Sequence, residues 1–189
     1  MVALSLAIGI FALLASVVVR WARQDYAQNG ELSTRSNVSS WLLYFFHADS
    51  VATAAWAQAV PLGLPRSLAL GAGGLVAAGG FGLFAAATRR LVHDGAFSGL
   101  RTERLVTRGP YRFSRHPQNL GWGVMLLGVA IAGQSLVALA LVAIFALFVE
   151  RYATIEEQDL AVRFGADYED YRARTSRLAG RPAREIVNA

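Results

Sequence analysis

"SLALGAGGLVAAGGFGLFAAA", residues 67–87, runs for 21 residues without a charge. A helix of that length rises about 30 Å, the thickness of a bilayer's hydrocarbon core. Glycine stands at positions 71, 73, 74, 79, 80 and 82. In water this load weakens a helix, whereas in lipid small residues let helix backbones approach closely. A dinucleotide-binding reading fails on spacing, because a GxGxxG pattern begun at Gly71 needs glycine at Val76, and no strand precedes it. The stretch therefore reads as a membrane span. Its glycines point first to helix packing and second to a groove for a lipid.

The rest of the chain agrees with that reading. Of 189 residues, 54% are hydrophobic and only 16% are charged, against roughly 25% charged in soluble domains. Cysteine is absent, which excludes disulfides, thiolate nucleophiles and iron–sulfur clusters. Three histidines without an HExxH spacing argue against a dedicated metal site. The formal charge of +5 marks the cytoplasmic side of a bilayer better than a nucleic-acid partner, because the arginines form no aromatic-interleaved patch.

Four further spans are predicted. Met1 to Val19 is uncharged and closes with Arg20, Trp21 and Arg23. Its charge follows the apolar run instead of preceding it, so a retained helix fits better than a signal peptide. Trp41 to Val60 is interrupted by His47 and Asp49, read either as a satisfied polar pair or as groove-facing groups. "PLGLP" (61–65) ends it. Asn119 to Ala132 and Leu136 to Val149 form a hairpin through "GQS" (133–135), each arm about 21 Å long. With the N-terminus outside, 17 of the 18 arginines fall on the cytoplasmic side and only Arg66 lies outside. The expected fold is an all-α polytopic transmembrane bundle of about five spans, in the inner membrane of a bacterium, with a cytoplasmic C-terminus. It is read as one domain, 1–189, with N-terminal spans in 1–90 and a cofactor-binding half in 91–189. That half contains the hairpin 119–149 and a tail 150–189.

The tail is predicted to be amphipathic. Leu160, Phe164, Tyr168 and Tyr171 recur at near-helical spacing, with Asp159–Arg163 and Asp170–Arg174 as charge pairs. Gly165 is expected to break the helix and Asp167 to cap a second one. Glu156 and Glu157 sit close to the membrane exit, where acids are costly unless solvated, paired or coordinating. The topology gives them Arg112, Arg115 and His116 as neighbours. A structural ion-pair cluster and a polar pocket for a zwitterionic ligand both fit this grouping. Gly109 and Pro110 are predicted to turn the chain toward the membrane and Pro117 to open the next helix. Arg115 and His116 then stand at its positive end.

"LVTRGPYRFSRHPQNLG" (105–121) followed by "EEQDLAVRFGADYEDYRARTSR" (156–177) resembles the isoprenylcysteine carboxyl methyltransferase family. That family sits in a wider group of membrane methyltransferases that includes phospholipid methyltransferases. The resemblance covers the C-terminal part of the chain and implies an S-adenosylmethionine site built from Tyr111, Arg115, His116, Pro117, Gly121, Glu156 and Glu157. The family's usual tyrosine two residues after the RHP proline is Asn119 here, so another aromatic or a modified pocket is expected. The resemblance further implies that Arg112 or Arg115 holds an acceptor carboxylate, that His116 orients a reactant, and that Glu156 or Glu157 binds the cofactor's hydroxyls or amino group. The acceptor is expected to be lipophilic, a carboxylate, thiol or amine met among the membrane lipids, with neither metal nor nucleic acid as partner. Two other readings compete: an NADPH-dependent membrane reductase of the sterol-reductase type, whose chains are longer, and a non-catalytic scaffold.

Overall fold

The structure, a computed structural model, describes residues 2–57, 60–94 and 104–180. Among them the regular structure is helical: α1 (Val2–Asn29), α2 (Thr34–Trp56), α3 (Arg66–His93), a 3-10 turn (Gly109–Arg112), α4 (Pro117–Ala132), α5 (Leu136–Phe164) and α6 (Ala166–Arg174). The one β-bridge among the described residues joins Pro61 to Ser135.

Local chemistry sets the helix ends. Gly30 takes a φ of +67° after α1. The Asp25 carboxylate then accepts from the Ser33 backbone N–H at 2.9 Å and from its hydroxyl at 2.5 Å. Ser33 in turn caps α2 by accepting from the Ser36 N–H. Pro117 opens α4 at its first position, where a missing N–H costs nothing. Ser135 caps α5, and Gly165 stops α5 with a φ of +51°, as the sequence predicts. Asp167 does not cap α6. Gly165 occupies that place and Asp167 lies in the first turn, because the turn through Gly165 is too tight to leave a residue between the two helices.

Two helices, α3 and α5, are long and apolar enough to cross a membrane. α4 has 16 residues, about 24 Å. α5 has 29 residues, about 43 Å, and outruns a hydrocarbon core of about 30 Å. Its last turns therefore carry Glu156 and Glu157 beyond the apolar stretch. At one end of the bundle the α2–α3 connection and the α4–α5 turn are tied by Leu62 N–H to Gln134 O at 2.9 Å and Leu136 N–H to Val60 O at 3.0 Å. The opposite end gathers the α1–α2 turn, the start of α4 and the outer part of α5.

The α3–α4 seam explains four of the glycines. A Cβ on Gly73, Gly80, Gly121 or Gly128 would fall 2.2 to 2.5 Å from a backbone nitrogen of the facing helix. Both pairs are seven residues apart, two helical turns, so each helix presents two notches to the other. Gly71, Gly74, Gly79 and Gly82 meet nothing within 4 Å.

His47 and Asp49 do not form a pair. His47 is buried, stacks on Phe145 at 4.8 Å between ring centroids, and donates through Nε2 to the Leu141 carbonyl at 2.9 Å. Asp49 is exposed, since two residues along a helix turn the side chain some 200° away.

Candidate functional site

The segments 114–116 and 175–177 meet side by side. The Arg115 N–H donates to Ser176 O at 3.0 Å and the His116 N–H to Arg177 O at 3.2 Å. The Ser114 hydroxyl also donates to Arg177 O, at 3.1 Å. Tyr171 fastens the preceding turn by donating to the Tyr111 carbonyl at 2.8 Å. These bonds bring the RHP and EE segments face to face, as their charges lead one to expect.

Glu157 is the centre of the assembly. Its carboxylate is 5% exposed and accepts five hydrogen bonds: from Arg115 Nε and Nη2 at 2.9 and 3.2 Å, from His116 Nε2 at 3.1 Å, and from Arg177 Nε and Nη2 at 3.1 and 2.7 Å. Burial by itself raises a carboxyl pKa, but the donors His116, Arg177 and Arg115 override it and hold Glu157 far below the ordinary carboxylate range. Arg115 is likewise used up, its Nη1 donating to the carbonyls of Thr175 and Arg172. Arg177 also reaches Glu150.

His116 lies between the two acids, with Nδ1 3.4 Å from Glu156 and Nε2 3.1 Å from Glu157. Burial pushes its pKa down, yet the bonds to Glu156 and then Glu157 win and hold it up at about 9. The ring is therefore an imidazolium at neutral pH, suited to orienting a partner and unsuited to accepting a proton.

Above this cluster a cavity of about 170 Å³ opens. Tyr111, Arg115, His116, Asn119 and Glu156 line it, as do Tyr168 and Tyr171 from α6. Ser40, Trp41, Tyr44 and Phe84 close the side toward the apolar part of the bundle, and Tyr152 joins them from α5. Glu156 is 33% exposed, so one of its faces is open where Glu157 is sealed. The Tyr168 hydroxyl is buried without a hydrogen-bond partner, an unmet donor in the cavity wall.

Other expected site residues sit elsewhere. Arg112 is exposed at the end of the 3-10 turn. Pro117 is buried as the first residue of α4. Gly121 faces Phe84 and the Gly80 carbonyl across the α3–α4 seam, so it serves packing. Of the tail's two charge pairs, Arg163–Asp159 forms. Arg174 instead donates to the backbone oxygen of Asp170. The sequence reading also missed Arg177 as a partner of Glu157, although its place in "RTSR" beside the acids was a signal. It missed Tyr44 and Tyr152 altogether, because the motifs lie in the C-terminal half while the cavity takes walls from both halves.

The family model for phospholipid methyltransferases matches residues 68–167, more than half of the chain, from the first turn of α3 to the first turn of α6. No curated protein and no solved structure shows significant similarity to the chain.

Proposed function

The chain belongs to the phospholipid methyltransferase family, and we propose that it moves a methyl group from S-adenosylmethionine to a lipid-like acceptor at the cytoplasmic face of the membrane. The observation that carries this reading is the cavity itself. It is walled by aromatic rings on the bundle side and faced by the open carboxylate of Glu156. The donor set fits S-adenosylmethionine: a carboxylate for ribose hydroxyls or the amino group, and an unmet Tyr168 hydroxyl for a further polar atom.

When bound, S-adenosylmethionine supplies an electrophilic methyl carbon on a sulfonium, whose sulfur keeps the bonding pair as a thioether when the methyl leaves. The protein's part is alignment and exclusion of water. Glu156 holds the donor's polar groups. Tyr111, His116 and Asn119 shape the seat, while Pro117 and Gly121 fix the helix beneath it. Arg115 fixes Glu157, Glu157 fixes His116, and His116 in turn faces Glu156. The aromatic side admits the lipid from the bilayer. From the excess of arginine around the RHP segment and the tail, that end of the bundle is read as cytoplasmic. The five helices α1 to α5 are read as five spans, and the membrane as a bacterial inner membrane.

Calorimetric titration of the purified protein with S-adenosylhomocysteine, with NADPH in parallel, tests the reading. Saturable binding of S-adenosylhomocysteine is expected, weakened at least tenfold in Glu156→Gln with the unfolding temperature retained. Binding of NADPH alone would assign the site to reductase chemistry. Binding of neither would leave a scaffold.

A further inference from the structure

The sequence reads Asp159 and Arg163 as a charge pair on an amphipathic tail. In the structure the pair lies inside. Arg163 and Leu160 line the cavity together with Glu156, and the side chains of Asp159 and Arg163 are 8% and 19% exposed. Spacings of four and three residues put positions 156, 160 and 163 on one face of α5, with Glu156 and Arg163 about 10 Å apart along the axis. Asp159 lies against the α1–α2 turn, where a Cβ on Gly30 would come 4.0 Å from its Oδ1.

One nitrogen of this pair is unused. The Arg163 guanidinium donates to Asp159 Oδ2 through Nε, at 3.1 Å, and through Nη2. Its Nη1 is buried and has no hydrogen-bond partner. Arg115, in the same cavity, shows the complete set. Its Nε and Nη2 also meet a carboxylate, that of Glu157, and its Nη1 meets the carbonyl oxygens of Thr175 and Arg172. Arg163 has the first half of that arrangement and lacks the oxygen that would finish it. A buried donor on a charged group costs more to leave unpaired than a neutral one, and the Phe164 ring, with its centroid 5.7 Å from Cζ, offers no acceptor oxygen. Asp159 and Glu157 balance the two guanidiniums. The remaining charges in the lining are Arg104, the His116 imidazolium and Glu156, a wall that does not repel an anion.

We propose that Arg163 is an oxyanion-binding residue of the cavity, its Nη1 taking a carboxylate or phosphate oxygen of a bound reactant beside the α1–α2 turn. Such charge-assisted bonds are the strong ones a guanidinium makes. Asp159 holds the fork in place, and Arg163 makes and breaks no covalent bond. Two reactants offer such an oxygen: the amino-acid carboxylate of the soluble methyl donor and the phosphate of a lipid. The choice between these sources rests on the methyltransferase reading of the cavity, whereas the site itself rests on the unused nitrogen.

The test uses the full chain in detergent micelles and two pairs of probes, each pair differing by the oxyanion. S-adenosylhomocysteine is set against its decarboxylated analogue, which keeps the amino group, by calorimetry. Dodecyl phosphate is set against dodecanol by tryptophan fluorescence, since Trp41 stands in the cavity wall. Arg163→Gln is expected to weaken one oxyanion-bearing probe about tenfold and to leave its counterpart unchanged within twofold, with the unfolding temperature retained. Loss on S-adenosylhomocysteine assigns the site to the donor's carboxylate, and loss on dodecyl phosphate assigns it to a lipid phosphate. Arg163→Lys, which keeps the charge without the planar fork, should recover part of the loss. Equal weakening of both members of each pair, or of neither, would overturn the proposal. So would a wild type that distinguishes neither pair, a result that needs no variant to fold. A wild type that binds no S-adenosylhomocysteine, yet separates dodecyl phosphate from dodecanol through Arg163, would overturn the methyltransferase reading and keep the site.

Discussion

The α3–α4 seam and the strapped mouth of the cavity solve one problem by opposite means. In the seam, two helices approach because four glycines present no side chain at the crossing, and dispersion between backbones does the holding. At the mouth, two segments 60 residues apart in the chain are joined by long, charged side chains around one buried carboxylate. The seam tolerates no added atom. The mouth tolerates no missing charge.

The sharpest way to break the comparison is Gly80→Leu. Its Cβ alone would lie 2.2 Å from the Met125 backbone nitrogen, so the seam cannot close and no folded protein should be recovered by size-exclusion chromatography. The neighbouring Gly79→Leu, with open space around it, should elute as wild type. Both proteins eluting alike would show that the seam is slack.

Glu157→Gln attacks the mouth. It leaves Arg115, Arg177 and His116 gathered around a neutral amide, and breaking a buried pair in this way costs about 3–5 kcal/mol. Denaturant unfolding should register that loss, with S-adenosylhomocysteine binding lost too. A change below about 1 kcal/mol would mean that the cluster is solvated and unimportant.

The smallest effect is on pH. His116 is held above its ordinary 6.5, at about 9, so its contribution to stability is complete below pH 6.5 and disappears as pH rises through 9. Glu157 is held below its ordinary 4.5, so its contribution is complete above pH 4.5 and declines as pH falls further. The unfolding temperature should therefore plateau between about pH 4.5 and 6.5 and decline on the alkaline side. In His116→Asn that alkaline decline should flatten; an unchanged one would assign it to other groups.

These two regions also differ in how far the sequence foretold them. That residues 67–87 would be a close-packed membrane helix was legible from glycines and the absence of charge. Which glycines face α4 was not, because Gly79 and Gly80 are chemically identical and only the phase of the helix separates them. Glu156 and Glu157 meeting Arg115 and His116 was legible from charge and topology. Their division of labour was not, since it follows from rotation: consecutive residues on a helix point about 100° apart, so one acid is sealed and the other open. Arg112 was expected beside them on the same grounds, and the 3-10 turn points it outward instead. Tyr44 lay beyond reach because its partner Asn119 is 75 positions away, and no local pattern spans that distance.

The strap of residues 175–177 across 114–116 has a consequence for how the protein is made. Ribosomes add about 5–20 residues per second, so Arg115 and His116 emerge on the order of 3–12 s before the carbonyls and guanidinium that will hold them. During that interval the start of α4 lacks the backbone oxygens of residues 175–177 that later hold it. Only when Arg177 is in place does Glu157 receive its full set of donors. The mouth of the cavity is thus completed only once residues 175–177 have been made, after every helix from α1 to α6.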